Sequence, residues 1–354
     1  MGRPGRRPDR RLARARLVAQ HLAGPRFATA EEAVAAFGLM QGQEPTVFSS
    51  VALRTVGGLD SVLAALDRGT LARGYTMRGT VFLALASEQR WLTELLAKPG
   101  VERARARCAQ AGVGPAQLDE IRVRALDAAP LDNAAFRRIV VEVAPGAASS
   151  AAYRTRYALL VDATLSYLGR SQLLHPAPAT PGLRERFNGD RQAAATEVIR
   201  RYVATHGPVT EADVRWWSKL PAAEVRAGLA GLGEGFARSG EYFQREGLED
   251  ELAALPASAL RRPLLLPAFD EYILGYADRH FAMSPATHAH LAPSNMGVFR
   301  KAIVVDGVVR GTWRGAAGRL AVEDVAGVPK YAEPGIRAAF ARFPFFPPAT
   351  VGTT

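Results

Sequence analysis

Apolar residues recur at helical spacing along most of the chain and switch to strand-like runs at a few short places. Between residues 11 and 22 they fall at Leu12, Ala15, Val18, Ala19 and Leu22, which is one face of a helix. Gly24-Pro25 ends that helix. Thr29 predicts the N-cap of a second helix over 30–37, with Glu32 at the third helical position, and Gly38 closes it. A third helix is predicted from residue 45 or 46 to 55, and a fourth over 62–67 behind Asp60 or Ser61. Residues 71–85 then read as two short strands around a turn. Helices followed by such a hairpin predict a winged helix, here over residues 10–97.

The pattern recurs. Over 113–182, helices are predicted at 119–128, at 133–143 behind Leu131-Asp132, and at 153–168, with Leu173-Leu174-His175 as a short wing strand. Over 191–247, helices at 192–205, 211–218 and 221–232 precede a wing in which Phe236-Ala237-Arg238 and Tyr242-Phe243-Gln244 flank Ser239-Gly240-Glu241. Thr210 and Asp213 form a capping-box start, and Pro221 opens the next helix where its missing N–H costs nothing. Over 262–345 the texture changes. Strands at 299–305 and 308–314 flank Asp306-Gly307, a dipeptide that suits a two-residue hairpin turn. The predicted fold class is mainly α with β wings, an α+β chain of tandem winged-helix units closed by a β-rich part.

Composition narrows the partners. The chain has 354 residues, 48% hydrophobic and 22% charged, a globular balance with room for several units. No apolar run is long enough to span a bilayer, and the basic start of the chain is not followed by the apolar core of a signal peptide. A cytoplasmic, nucleoid-associated bacterial protein is therefore expected, with no sign of an obligate oligomer. The single cysteine, Cys108, excludes a disulfide framework and a cysteine-built zinc site. The net charge of +11 favours a polyanionic partner, since each neutralised phosphate releases a condensed counterion.

Double-stranded DNA is the partner that charge and wings together suggest. The candidate contacts are Arg73 and Arg78 beside the first wing, Arg154 and Arg156 on the long helix of the second unit, and Arg300, Lys301, Arg310 and Arg314 on the C-terminal hairpin. A basic ribbon can enter a groove. It can equally guard a sheet edge, and a basic helix face can simply be solvated. Trp216 and Trp217 are expected to be core or interface aromatics.

Candidate chemistry is sparse. There is no P-loop, no G-x-G-x-x-G after a strand and no H-E-x-x-H. His288 and His290 are read as part of a surface loop over 285–293, so no metal is expected, and no cofactor is implied. Asp270-Glu271 stands at a helix start, where negative charge complements the helix dipole. That leaves Gln41-Gly42-Gln43, between the helix ending at Gly38 and the one starting near Pro45. In an extended connector, residues i and i+2 face one side, so two neutral amides can converge on a small site. Gly42 would let a substrate approach closely. The same tripeptide also suits an ordinary polar loop.

The segment Gly38-Leu39-Met40-Gln41-Gly42-Gln43-Glu44-Pro45 resembles the Q-x-Q segment of the AlkZ/YcaQ family of bacterial winged-helix DNA glycosylases. The stretch from Met77 to Leu83, the stretch from Leu266 to Arg279, and Gly297-Val298-Phe299-Arg300 with the following hairpin are similar to it too, so the resemblance runs over nearly the whole chain. It implies tandem winged helices with a β-rich C-terminal part, and excision of N7-alkylated purines, with interstrand crosslinks accepted by some members. It implies Gln41 and Gln43 as the catalytic pair. Gly42 departs from the pattern, where an apolar side chain is usual, and a looser loop is the expected consequence. With no aromatic cage evident beside the motif, an open cleft that works on the lesion in or beside the duplex is expected. The rival expectation is a DNA-binding regulator without catalysis.

Overall fold

The computed structural model describes residues 8–42, 46–293, 297–316 and 318–347. Gln43 of the motif, with Glu44 and Pro45, lies outside the described residues.

The chain begins with α1 (Arg10–Ala19), α2 (Ala30–Phe37), β1 (Met40–Gln41), α3 (Thr46–Leu53), α4 (Gly58–Asp67), β2 (Leu71–Met77), β3 (Thr80–Leu85) and α5 (Gln89–Leu96). Next come α6 (Lys98–Gln110), α7 (Pro115–Asp127), α8 (Asn133–Val143), α9 (Ala151–Val161), β4 (Leu165–Leu168) and β5 (Leu174–Pro176). A third stretch holds α10 (Leu183–Phe187), α11 (Arg191–His206), α12 (Glu211–Ser218), α13 (Ala222–Ala230), β6 (Phe236–Ser239), β7 (Tyr242–Arg245), α14 (Leu248–Ala254) and α15 (Ala257–Arg261). The last holds β8 (Leu264–Leu266), α16 (Glu271–Leu274), α17 (Pro285–Leu291), β9 (Ala302–Val305), β10 (Val308–Ala316), β11 (Arg319–Asp324) and α18 (Glu333–Ala341). Among the described residues no helix is long and apolar enough to cross a membrane.

Local chemistry explains many of the boundaries. The Thr29 hydroxyl accepts the Glu32 N–H at 3.1 Å, while the Glu32 carboxylate accepts the Ala28 N–H at 3.0 Å. At α12 the capping box closes both ways, with Thr210 Oγ1 accepting from Asp213 N at 3.2 Å and Asp213 Oδ2 from Thr210 N at 3.1 Å. Asp306 and Gly307 both carry positive φ, 55° and 75°, as a two-residue hairpin of this twist requires. Arg14 fixes that turn from outside, reaching both Asp306 oxygens at 2.7 and 2.8 Å.

Two helical expectations are corrected. The helix predicted over 153–168 ends at Val161. Ala163 turns the backbone left-handed at φ 57°, Asp162 Oδ1 accepts the Thr164 N–H at 3.0 Å, and Leu165–Leu168 becomes a strand. Helical spacing fits those residues, but β2 offers a ladder edge that local periodicity cannot reveal. Conversely, His288 and His290 lie on helix α17, capped by the Ser284 side chain, rather than in a loop.

The sheets do not follow the linear order of units. Strands β1-β3-β2-β4-β5 form one antiparallel sheet drawn from both the 10–97 and the 113–182 spans, with Arg73 opposite Tyr167. A β11-β10-β9-β8 sheet forms the C-terminal part, and β6-β7 is the isolated wing of the third stretch. Helix α1, at the head of the 10–97 span, buries Ala13, Leu17 and Val18 in the core that contains Tyr202, Trp217 and Tyr272. Its Arg16 is buried as well, on Asp213 at 3.1 Å and the Pro208 carbonyl at 2.9 Å.

Candidate functional site

Gln41 sits at the end of a two-residue edge strand. Its partner in β3 is Phe82, and the Gly42 N–H continues the ladder to the Val81 carbonyl at 2.8 Å. A Cβ on Gly42 would stand 3.0 Å from Leu83 N and 3.1 Å from Phe82 C, both backbone atoms of a strand held on its other side by β2. The glycine lets the chain at 41–42 press against β3; the loop that follows it, where the loosening is expected, lies outside the described residues.

Gln41 is 6% exposed. Its main-chain N–H donates to Glu271 Oε1 at 2.8 Å, and its side-chain Nε2 donates to Thr80 Oγ1 at 3.3 Å. Its Oε1 accepts from Arg78 Nη2 at 3.1 Å. Arg78 can reach back because it and Gly79, φ 54° and 69°, form the tight turn between β2 and β3. Its guanidinium lies 5.2 Å from the Phe82 ring and 5.1 Å from the Trp216 ring. Burial holds Arg78 below the usual arginine range, while the nearby Glu271 charge opposes that shift.

Behind the motif is a buried polar layer. The Glu271 carboxylate, 1% exposed, also accepts the Trp217 indole N–H at 3.3 Å and faces His206 Nε2 at 3.5 Å. Burial lowers the His206 pKa, and the Glu271 hydrogen bond and charge offset this only in part. Next to it, Arg54 binds both oxygens of Asp270 at 2.9 Å. Burial pushes the Asp270 carboxyl up. The Arg54 charge and hydrogen bonds, with those of Ser50 and the Tyr272 N–H, outweigh it and hold the carboxyl below the ordinary aspartate value. Asp270 does cap α16, as the helix-start reading expects, but Glu271 reaches across the fold to the motif instead of serving the dipole. Phe269, just before them, has φ 62°, a backbone state rare for an aromatic residue.

In front of the motif is a band of cations and aromatic rings. Trp216, half-buried, has Arg78, Lys219 Nζ and the Arg279 guanidinium within 5.1, 5.2 and 4.9 Å of its ring centre. Arg279 also lies 5.3 Å from the Phe299 ring, and burial, then Arg78, brings its pKa down to about 10. Phe299 opens onto a groove of about 430 Å³ shared with Arg300, Lys301, Arg314 and Glu323. Thr46, at the start of α3, donates to the Ala268 carbonyl of that groove at 3.2 Å.

The basic residues singled out from sequence thus separate. Arg78 stands on Gln41, and Arg300, Lys301 and Arg314 share one groove. Arg300 also meets His290 at 2.8 Å and Glu323 at 3.5 Å, and Lys301 lies 4.7 Å from the Trp313 ring. Arg310 turns away to the Ala326 carbonyl at 3.1 Å. Arg73 is corrected from the wing surface to the sheet interior. It is 3% exposed, donates to the Ser171 carbonyl at 2.7 Å, and burial brings its pKa down to about 10. Arg154 donates to the Arg107 carbonyl and Arg156 to Asn133 Oδ1. Sequence reading did not single out Glu271, His206, Lys219 or Arg279 for the site. The acid pair at 270–271 and the double tryptophan at 216–217 were visible signals, but nothing local linked them to Gln41.

No curated protein sequence matches the chain. Among solved structures, the Streptomyces sahachiroi DNA glycosylase AlkZ is similar in fold, with a TM-score of 0.70 at 22% identity over 94% of this chain and 97% of that one. Residues 34–346 match the family model described as DNA glycosylase AlkZ-like, and on that span the chain belongs to the AlkZ-like DNA glycosylase family.

Proposed function

We propose that the protein is a monofunctional DNA glycosylase. It hydrolyses the N-glycosidic bond of N7-alkylated purines in duplex DNA, with interstrand crosslinks as a candidate substrate class, in DNA repair or self-resistance to a genotoxin. The observation that carries this reading is the oriented amide of Gln41. A cation on its oxygen and a hydroxyl on its nitrogen set which end is which, at the edge of a basic, aromatic-lined surface.

The chemistry suits neutral amides. N7-alkylation makes the base cationic, so it leaves without being protonated by the enzyme. The remaining needs are a placed water and stabilisation of an oxocarbenium-like sugar, which preorganised dipoles supply. An ionised carboxylate in their place would have to be desolvated against phosphates. In this proposal Gln43 positions the water and Gln41 orients it or lies against the sugar. Glu271 holds the main chain of Gln41 and touches neither water nor sugar. The groove lined by Arg300 and Arg314 is open to solvent, which supports action on a lesion in or beside the duplex instead of in a closed base pocket.

The test is release of free base from a duplex containing N7-methylguanine. Wild type is expected to release it. Gln41→Ala and Gln43→Ala are each expected to slow release by about a hundredfold while keeping duplex affinity. A wild-type protein that binds the duplex and releases no base is a regulator, and the proposal is then wrong.

A further inference from the structure

We infer that the groove between the Arg78-Gly79 turn and α6 seats one phosphodiester of the DNA strand that passes Gln41, an inference that rests on the DNA reading above. The groove has a volume of about 530 Å³. Arg78, Arg103, Arg107 and Lys219 converge on it, with Tyr157, and among the described residues no aspartate or glutamate lines it.

Some exposed arginines elsewhere have acidic neighbours, as in Arg122 with Asp119, Arg124 with Glu120, Arg170 with Asp67 and Arg226 with Glu211. Among the described residues, Arg103, Arg107 and Lys219 have no such partner. Arg78 spends its hydrogen bond on a neutral amide. Lys219 and Arg279 are each pushed down in pKa by burial and then by Arg78, so the cations are gathered against their own repulsion. An anion in the groove relieves it.

The groove also offers hydrogen bonds. A Cβ on Gly79 would lie 3.1 Å from the Tyr157 hydroxyl, so the glycine keeps that hydroxyl uncovered at the groove wall. It has no hydrogen-bond partner among the described residues. Guanidinium, ammonium and phenol donors together suit phosphate oxygens.

The location argues for a strand phosphate over a free anion. Arg78 touches both the groove and Gln41. A bare cation there would repel a cationic base and an incipient sugar cation. A phosphodiester lying between them cancels that repulsion. The cation–aromatic band continues from Lys219 through Trp216 and Arg279 to Phe299, which fits a polyanion.

The experiment measures binding of an undamaged duplex by fluorescence anisotropy over a range of KCl concentrations. The variant combines Arg103→Gln, Arg107→Gln and Lys219→Gln, all at exposed positions. It should bind more weakly, and the slope of log affinity against log salt should fall in magnitude by about 1. The charge-keeping pair Arg103→Lys with Arg107→Lys should retain the slope, as should Arg342→Gln, an exposed arginine outside the groove. A cooperative melt for each variant separates loss of contact from loss of fold. An unchanged slope in the triple variant overturns the seat, even in a protein that releases base. A reduced slope supports it even in a protein that does not. If inorganic phosphate raises the melting temperature of wild type but not of the triple variant, and the duplex slope is unchanged, the groove holds a free anion and the inference falls.

Discussion

Glu271 shows how one side chain can hold a motif by its main chain. Its oxygens accept the Gln41 main-chain N–H and the Trp217 indole N–H, both in the interior. Glu271→Ala removes both acceptors and leaves two buried donors unpaired, at a cost of about 1–3 kcal/mol for each. The expected result is a lower urea midpoint and slower base release, with duplex affinity retained. Unchanged stability and release would remove Glu271 from the positioning role. His206, stacked on Tyr202 and facing Glu271, adds a pH dependence. Its folded pKa is lowered, so between the unfolded value of about 6.5 and the folded value the unfolded chain binds the extra proton. Its contribution to stability is present above that unfolded value and is lost as pH falls toward the folded one. His21, His175 and His288 are shifted the same way, and Asp270 acts in the same sense in more acid solution. The urea midpoint should therefore drop between about pH 7.5 and about pH 5, and His206→Gln should shrink the drop. An equal drop in that variant would refute the assignment.

Among the elements, β1 matters most and was least legible. Two residues of strand carry no periodicity, and the sequence placed Gln41 in a connector. Its ladder partner β3 lies on the far side of two helices and a strand. The same pairing decides the meaning of Gly42. A side chain there meets main-chain atoms of β3, which cannot swing aside. Gly42→Val is expected to cost about 1–3 kcal/mol by overpacking, read as a lower melting temperature. A variant as stable as wild type would show that β1 is free to lift away. Elements with a local signature were readable: the capped starts of α2 and α12, the Asp306-Gly307 hairpin and the wing around Gly240. Helical spacing carries the predicted helix past Val161, but over those few residues it does not exclude a strand, and only β2 beside them selects the strand.

At the scale of the molecule, α1 ties the start of the chain to its later parts. It packs on α11 and α14 and inserts Arg16 between Asp213 and the Tyr276 ring, 3.9 Å from the ring centre. A chain lacking residues before 25 would uncover Tyr272, Tyr276 and Trp217 and leave Asp213 buried without its cation. Such a chain should be cleaved rapidly in limited proteolysis and lose its cooperative melt. Protease resistance like that of the full chain would show that α1 is dispensable. Charge, capped helices, hairpin turns and the candidate Gln41 were determined by the sequence alone, because each depends on residues within a few positions of one another. Which arginines stay at the surface was decided only by the tertiary structure. Hydrogen bonds and ion pairs act over distances in space, and those that enclose Arg73, aim Arg78 at Gln41 and set Glu271 beneath the motif join residues far apart in the chain.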